Sequence, residues 1–99
     1  MSIHLKVIDL YRKEIQDFGY WSNQEIKILF NQVNDDDFFL LRNLDLTLDT
    51  YFNNKQLNLL KKEIELLKNR GKNSKLLEAI EAGIKCALEE GFLKLESIT

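Results

Sequence analysis

The chain contains no proline, one cysteine, one histidine and only four glycines in 99 residues. Without proline, no helix interior is obliged to kink or stop. The lone Cys86 excludes an intramolecular disulfide framework and a cysteine-based zinc site. It sits beside Ala87 and Leu88 on an expected helix, where a small buried thiol is the ordinary reading. His4 lies at the start of the chain, in an expected exposed position, with no second ligand or catalytic partner beside it. The few glycines leave no phosphate-cradling loop, and G-x-x-x-x-G-K, G-x-G-x-x-G and H-E-x-x-H are all absent. No apolar run approaches the roughly 18 residues of a membrane-spanning helix. The first residues do not combine a basic start with an apolar stretch, so a cytoplasmic setting away from membranes is expected. With so little catalytic equipment, no enzyme activity, no cofactor and no metal site are expected.

What is present is 44% hydrophobic and 30% charged residues, which fits a single domain over 1–99. The formal charge of −2 conceals a segregated pattern. Residues 1–33 balance, residues 34–53 carry five Asp against Arg42, and residues 54–75 carry seven Lys or Arg against Glu63 and Glu65. Residues 76–99 are acidic again, with five Glu against Lys85 and Lys94. Such segregation produces local fields that steer a charged partner. The basic stretch containing Lys61, Lys62, Lys68, Arg70, Lys72 and Lys75 is interrupted by acids and has no interleaved aromatic residue. Direct nucleic-acid binding is therefore not expected.

Scarce glycine and absent proline favour long helices joined by polar turns, and the expected fold class is mainly α: a compact helical bundle of about four to five helices. Ile8, Tyr11, Ile15 and Phe18 recur at helical spacing, while Ile3, Leu5 and Val7 alternate as in a strand; length favours a helix over 3–18, stopped at Gly19. Tyr20 and Trp21 then form a connector. Ser22 and Glu25 match a capping box for a helix over 23–34, with Ile26, Leu29, Phe30 and Val33 on its buried stripe. Asn34, Asp35, Asp36 and Asp37 end that helix and cap a short one through Phe38–Leu44. Asn53 or Asn54 caps a helix to Asn69 with Leu57, Leu60, Ile64 and Leu67 inward, ended by Arg70 and Gly71. Ser74 opens the last helix, with Leu77, Ile80, Ile84, Ala87 and Leu88 inward, and Gly91 closes it as a left-handed stop. The apolar tail 92–98 either packs across the bundle or forms a short strand.

Residues 41–67 carry Leu44, Asp45, Asp49, Thr50, Phe52, Asn53, Gln56, Leu60, Glu63 and Leu67, and the tail carries Leu93, Lys94 and Leu95. This pattern resembles small bacterial immunity proteins of secreted polymorphic toxins, including contact-dependent growth inhibition systems. The group usually has Pro and Gly between the two Asp residues, where this chain has Leu46, Thr47 and Leu48. The resemblance implies a protein that binds and neutralises a cognate toxin, a nuclease with ribonuclease as the narrower expectation, by blocking its active site in a one-to-one complex.

Nuclease toxins offer basic phosphate grooves, which acidic loops meet with charge-assisted hydrogen bonds. The expected partner contacts are Asp35, Asp36, Asp37, Asp45 and Asp49, with Tyr20, Trp21 and Tyr51 as aromatic anchors. The acids Glu78, Glu81, Glu89 and Glu90 make an equally legitimate docking face. Asp45, Asp49, Thr50 and Asn53 also stand where a loop meets a helix start, where their first duty is to satisfy backbone amides. The alternative function is a small helical adaptor or regulatory protein-binding module whose apolar groove binds a host-cell partner, with a homodimer as one form it can take.

Overall fold

The computed structural model describes residues 2–32, 37–44 and 47–98. Val33, Asn34, Asp35, Asp36, Asp45 and Leu46, and the side chain of Phe30, lie outside the described residues. The expected helical bundle is overturned: a four-stranded antiparallel sheet occupies one side of the molecule. The expected helix over 3–18 is a hairpin of β1 (Ser2–Ile8) and β2 (Glu14–Ser22). Ile3, Leu5 and Val7 decide the matter, because only a period of two sends all three to one face, and all three are buried there. The competing helical set shares no face: Tyr11 is 91% exposed. The reversal is built by Asp9, whose Oδ1 accepts from the Tyr11 amide at 2.8 Å and the Lys13 amide at 2.9 Å. Arg12 takes a positive φ of 64° to complete it.

After β2 come α1 (Asn23–Gln32), the single turn α2 (Phe39–Arg42), β3 (Thr50–Phe52), α3 (Asn54–Asn69), α4 (Lys75–Glu90) and β4 (Phe92–Ile98). Tyr20 and Trp21 thus end a strand instead of forming a connector, and the apolar tail is the strand of its two alternatives. The sheet order is β2-β1-β4-β3. One face carries Ile3, Leu5, Val7, Phe52, Leu93 and Leu95, which join Leu57, Leu60, Ile64 and Leu67 of α3 and Leu77, Ile80, Ile84 and Ala87 of α4 in one core. Burying such side chains stabilises by about 1.5–3 kcal/mol each before the chain's lost entropy is set against it.

The helix starts follow the sequence closely. Ser22 and Glu25 form their box: the Ser22 amide donates to Glu25 Oε2 at 2.9 Å. Asn53 Oδ1 accepts from the Gln56 amide at 3.0 Å while Gln56 Oε1 accepts from the Asn53 amide at 2.9 Å. Ser74 Oγ accepts from the Leu77 amide. The start of α2 departs from expectation. Its N-cap is Phe38, which makes no side-chain cap. Instead the carboxylate of Glu63, only 3% exposed on α3, reaches across and accepts from the Leu40 and Leu41 amides at 2.9 and 3.0 Å. A buried acid on α3 thus supplies an acceptor at the positive end of the turn, while Asp35 and Asp36, expected to cap it, lie outside the described residues.

Gly91 does end α4, but not as a left-handed residue, since its φ is 165°. Glycine is required by closeness: a Cβ there would run into the backbone carbonyl of Ile8 on β1.

Candidate functional site

The hairpin is irregular, and the irregularity builds the site. Between the pairs His4↔Tyr20 and Lys6↔Asp17, β1 advances two residues while β2 advances three. A second shift lies between Val7↔Gln16 and Ile8↔Glu14. Each extra residue is a bulge, and each restores to the same face side chains that odd spacing would otherwise send to opposite faces. Gly19, with φ of 99°, supplies the first bulge, and its amide donates to Asp17 Oδ1 at 2.7 Å. As a result Glu14, Asp17 and Tyr20 all stand on the sheet face opposite the helices. They are joined there by His4 and Lys6 of β1, Lys94 and Glu96 of β4, and Tyr51 of β3.

This face is a connected charge network. Glu96 lies 2.9 Å from Lys94 Nζ and 3.1 Å from Lys6 Nζ, separating two ammonium groups whose backbones are direct cross-strand partners. Lys94 also sits 3.8 Å from Asp49 and over the Tyr51 ring at 5.3 Å. Hydrogen bonds from Lys94 and then Lys6 hold the Glu96 carboxyl below its ordinary range, with burial opposing. The Glu96 contact in turn raises Lys94. Asp17 is held low by the Gly19 amide first and by the adjacent His4 second.

His4, expected at an exposed chain start, is instead 5% exposed in the middle of this face. Its ring stacks on Tyr20 with centroids 4.0 Å apart and planes at 16°. Nε2 lies 2.8 Å from Asp17 Oδ2 but outside hydrogen-bond geometry, so the buried nitrogen makes no hydrogen bond. Nδ1 is 3.9 Å from Glu96 Oε1.

Of the residues singled out from sequence, Tyr20, Asp49 and Tyr51 share this face, Tyr20 on the β2 edge and Asp49 and Tyr51 at the β3 edge, with Tyr20 64% and Tyr51 41% exposed. Asp49 also has the internal duty expected for that loop, since its Oδ1 accepts from the Ser97 amide at 2.9 Å. Trp21 stands apart from them: it is opposite Ile3, packs against the core and donates from Nε1 to the Phe18 carbonyl. Asp37 is distant in role as well, bonding Arg70 at 2.7 Å, whose guanidinium lies over Phe38. Asp35, Asp36 and Asp45 lie outside the described residues. Sequence reasoning missed His4, Lys6, Glu14, Asp17, Lys94 and Glu96. The available signal was the alternation of Ile3, Leu5 and Val7 and of Leu93 and Leu95, whose intervening residues define the opposite face.

Cys86 is half-buried on α4, with Sγ 3.8 Å from Gln16 Oε1. Burial, then Glu90 and Glu89, push its thiol above the ordinary range, the reverse of what activates a nucleophile. Among the described residues, no helix is long and apolar enough to cross a membrane. Comparison with protein-family models, curated proteins and solved structures finds no match to this chain.

Proposed function

We propose that this chain is a cytoplasmic immunity protein that neutralises a cognate secreted bacterial toxin, a nuclease, by stoichiometric docking over its active site. Besides the resemblance of residues 41–67, one observation carries the reading. Tyr20 at one edge and Asp49 and Tyr51 at the other flank a sheet face whose acids Glu14, Asp17, Asp49 and Glu96 outnumber Lys6 and Lys94. Exposed tyrosines flanking a net-acidic patch suit a basic phosphate groove: the rings supply contact area at low entropic cost, and the carboxylates speed encounter.

The test is co-expression with the product of a neighbouring toxin reading frame. Growth is rescued, the two chains purify one to one, and Tyr20→Ala or Tyr51→Ala weakens the complex about tenfold or more while the fold is retained. Failure of the wild-type chain to bind at micromolar concentration overturns the proposal. If charge reversal at Asp35 and Asp36 slows association while the tyrosine variants bind normally, the docking surface moves to that acidic run.

A second reading, a small regulatory module pairing with another copy of itself, is favoured by the cleft of about 380 Å³ between α3 and α4. Ile64, Ile84 and Leu88 line it between Lys61 and Lys85 and the acids Glu81 and Glu89, so both signs needed for a self-complementary face are present. Sedimentation decides this: a stable dimer favours it, and a monomer removes it.

A further inference from the structure

We infer that His4, Glu14 and Asp17 form a binding site for one divalent transition-metal ion of the zinc type. A cluster of acids on a surface is not a site by itself. What distinguishes this one is the imidazole at its base. His4 is more than nine-tenths buried, yet its Nε2, 2.8 Å from Asp17 Oδ2, makes no hydrogen bond. A buried nitrogen left without a partner carries a desolvation cost that coordination removes.

The donor set and spacing suit the ion. The three ligand atoms, one imidazole nitrogen and two carboxylate oxygens, lie within 4.8 Å of one another. Donors bound at about 2.0–2.2 Å stand roughly 3–3.5 Å apart, so small rotations close the set. The two acids are free to make them, because each side chain is 48% exposed, whereas His4 is fixed by burial and by the Tyr20 stack. One nitrogen and two oxygens match the borderline preference of zinc and its neighbours, with the remaining positions open to water.

The surroundings agree. Glu96 Oε1 stands 3.9 Å from the opposite ring nitrogen, Nδ1, so a small movement would let this carboxylate steer a metal-bound imidazole. Lys6 is the competing cation, 3.7 Å from Glu14, but Glu96 holds it more closely at 3.1 Å and retains it when Glu14 turns to the ion. The two bulges in β2 have their consequence here. Without them Glu14 and Asp17 would not share a face, and the site would not exist.

The test uses the full chain, stripped with EDTA, exchanged into chelator-free buffer at neutral pH and titrated with zinc sulfate by calorimetry. The ring resonances of the sole histidine are followed by NMR. One ion per chain binds, and the His4 ring signals shift in step with the heat. Asp17→Asn keeps the acceptor for the Gly19 amide, and Glu14→Gln changes an exposed side chain. Each is expected to remain folded by circular dichroism and to bind about tenfold or more weakly. Absence of saturable binding, binding that survives both substitutions, or a His4 ring that does not respond overturns the inference. If either variant fails to fold, the wild-type ring shift decides. Because the chain is titrated alone, the result is independent of whether it binds a toxin.

Discussion

Glu63, read in the sequence as one of two acids set against a basic stretch, acts across the molecule. Its two oxygens are the only side-chain acceptors seen for the buried start of α2 among the described residues. Glu63→Ala leaves two amides without partners and is expected to cost about 1–3 kcal/mol, read as a lower urea midpoint. Glu63→Gln keeps one acceptor and costs less. A result in which Ala and Gln are equal to wild type would mean that water or another group takes over the amides. Neither its burial nor its targets were legible in the sequence, because the contact spans more than twenty positions.

The Glu96 group makes a second prediction at the same scale. The groups facing it are Lys6 and His4 on β1 and Lys94 on its own strand, with Asp49 and Tyr51 beside Lys94. Its folded pKa lies below the ordinary 4.5, so its stabilising contribution is complete above that value and is lost as pH falls through the lower folded value. Lys94 has the opposite sign: its folded pKa lies above 10.5, so its contribution is complete below 10.5 and is lost as pH rises through the folded value. Melting temperature against pH should therefore fall at both ends, and Glu96→Gln should shrink both limbs together. Loss of one limb alone would uncouple the pair.

Among elements, those whose signals are local were legible. Ser22–Glu25, Asn53–Gln56 and Ser74 each cap the helix they announce, and the stripe of α3 is buried as its spacing requires. The elements that were misread are those whose identity depends on a partner far along the chain. Residues 2–22 contain both a period of two and a period near 3.6, and the choice is made by β4, which pairs with β1 over its whole length. Local periodicity carries no information about that partner. The site inherited the error, since its face exists only once β1, β2 and β4 lie side by side. Gly91 joins two of these elements. Gly91→Ala places a methyl group against the Ile8 carbonyl and is expected to destabilise by about 1–3 kcal/mol, measured by chemical denaturation. Tolerance of alanine would show that β1 and the end of α4 move apart at little cost.

At the scale of the whole molecule, the opposed charge blocks seen in the sequence resolve into paired faces. The basic end of α3 meets acids through Lys68–Glu81 and Arg70–Asp37, both at 2.7 Å, and so is partly neutralised. On the sheet face the acids Glu14, Asp17, Asp49 and Glu96 keep a surplus over Lys6 and Lys94, and the proposed function rests on the field this surplus makes.

The strand order also governs how the molecule comes into being. The two central strands are the first and last elements of the described chain, with Ser2 opposite Ile98. During synthesis β1 can close its hairpin with β2 early, but its other edge has no partner until β4 leaves the ribosome. Until then one backbone edge and the apolar row Ile3, Leu5 and Val7 stand open to other chains. A chain cut after Glu90 is therefore expected to aggregate instead of settling into a smaller fold, a difference visible in size-exclusion chromatography. A synthetic 91–99 peptide supplied during refolding should rescue it.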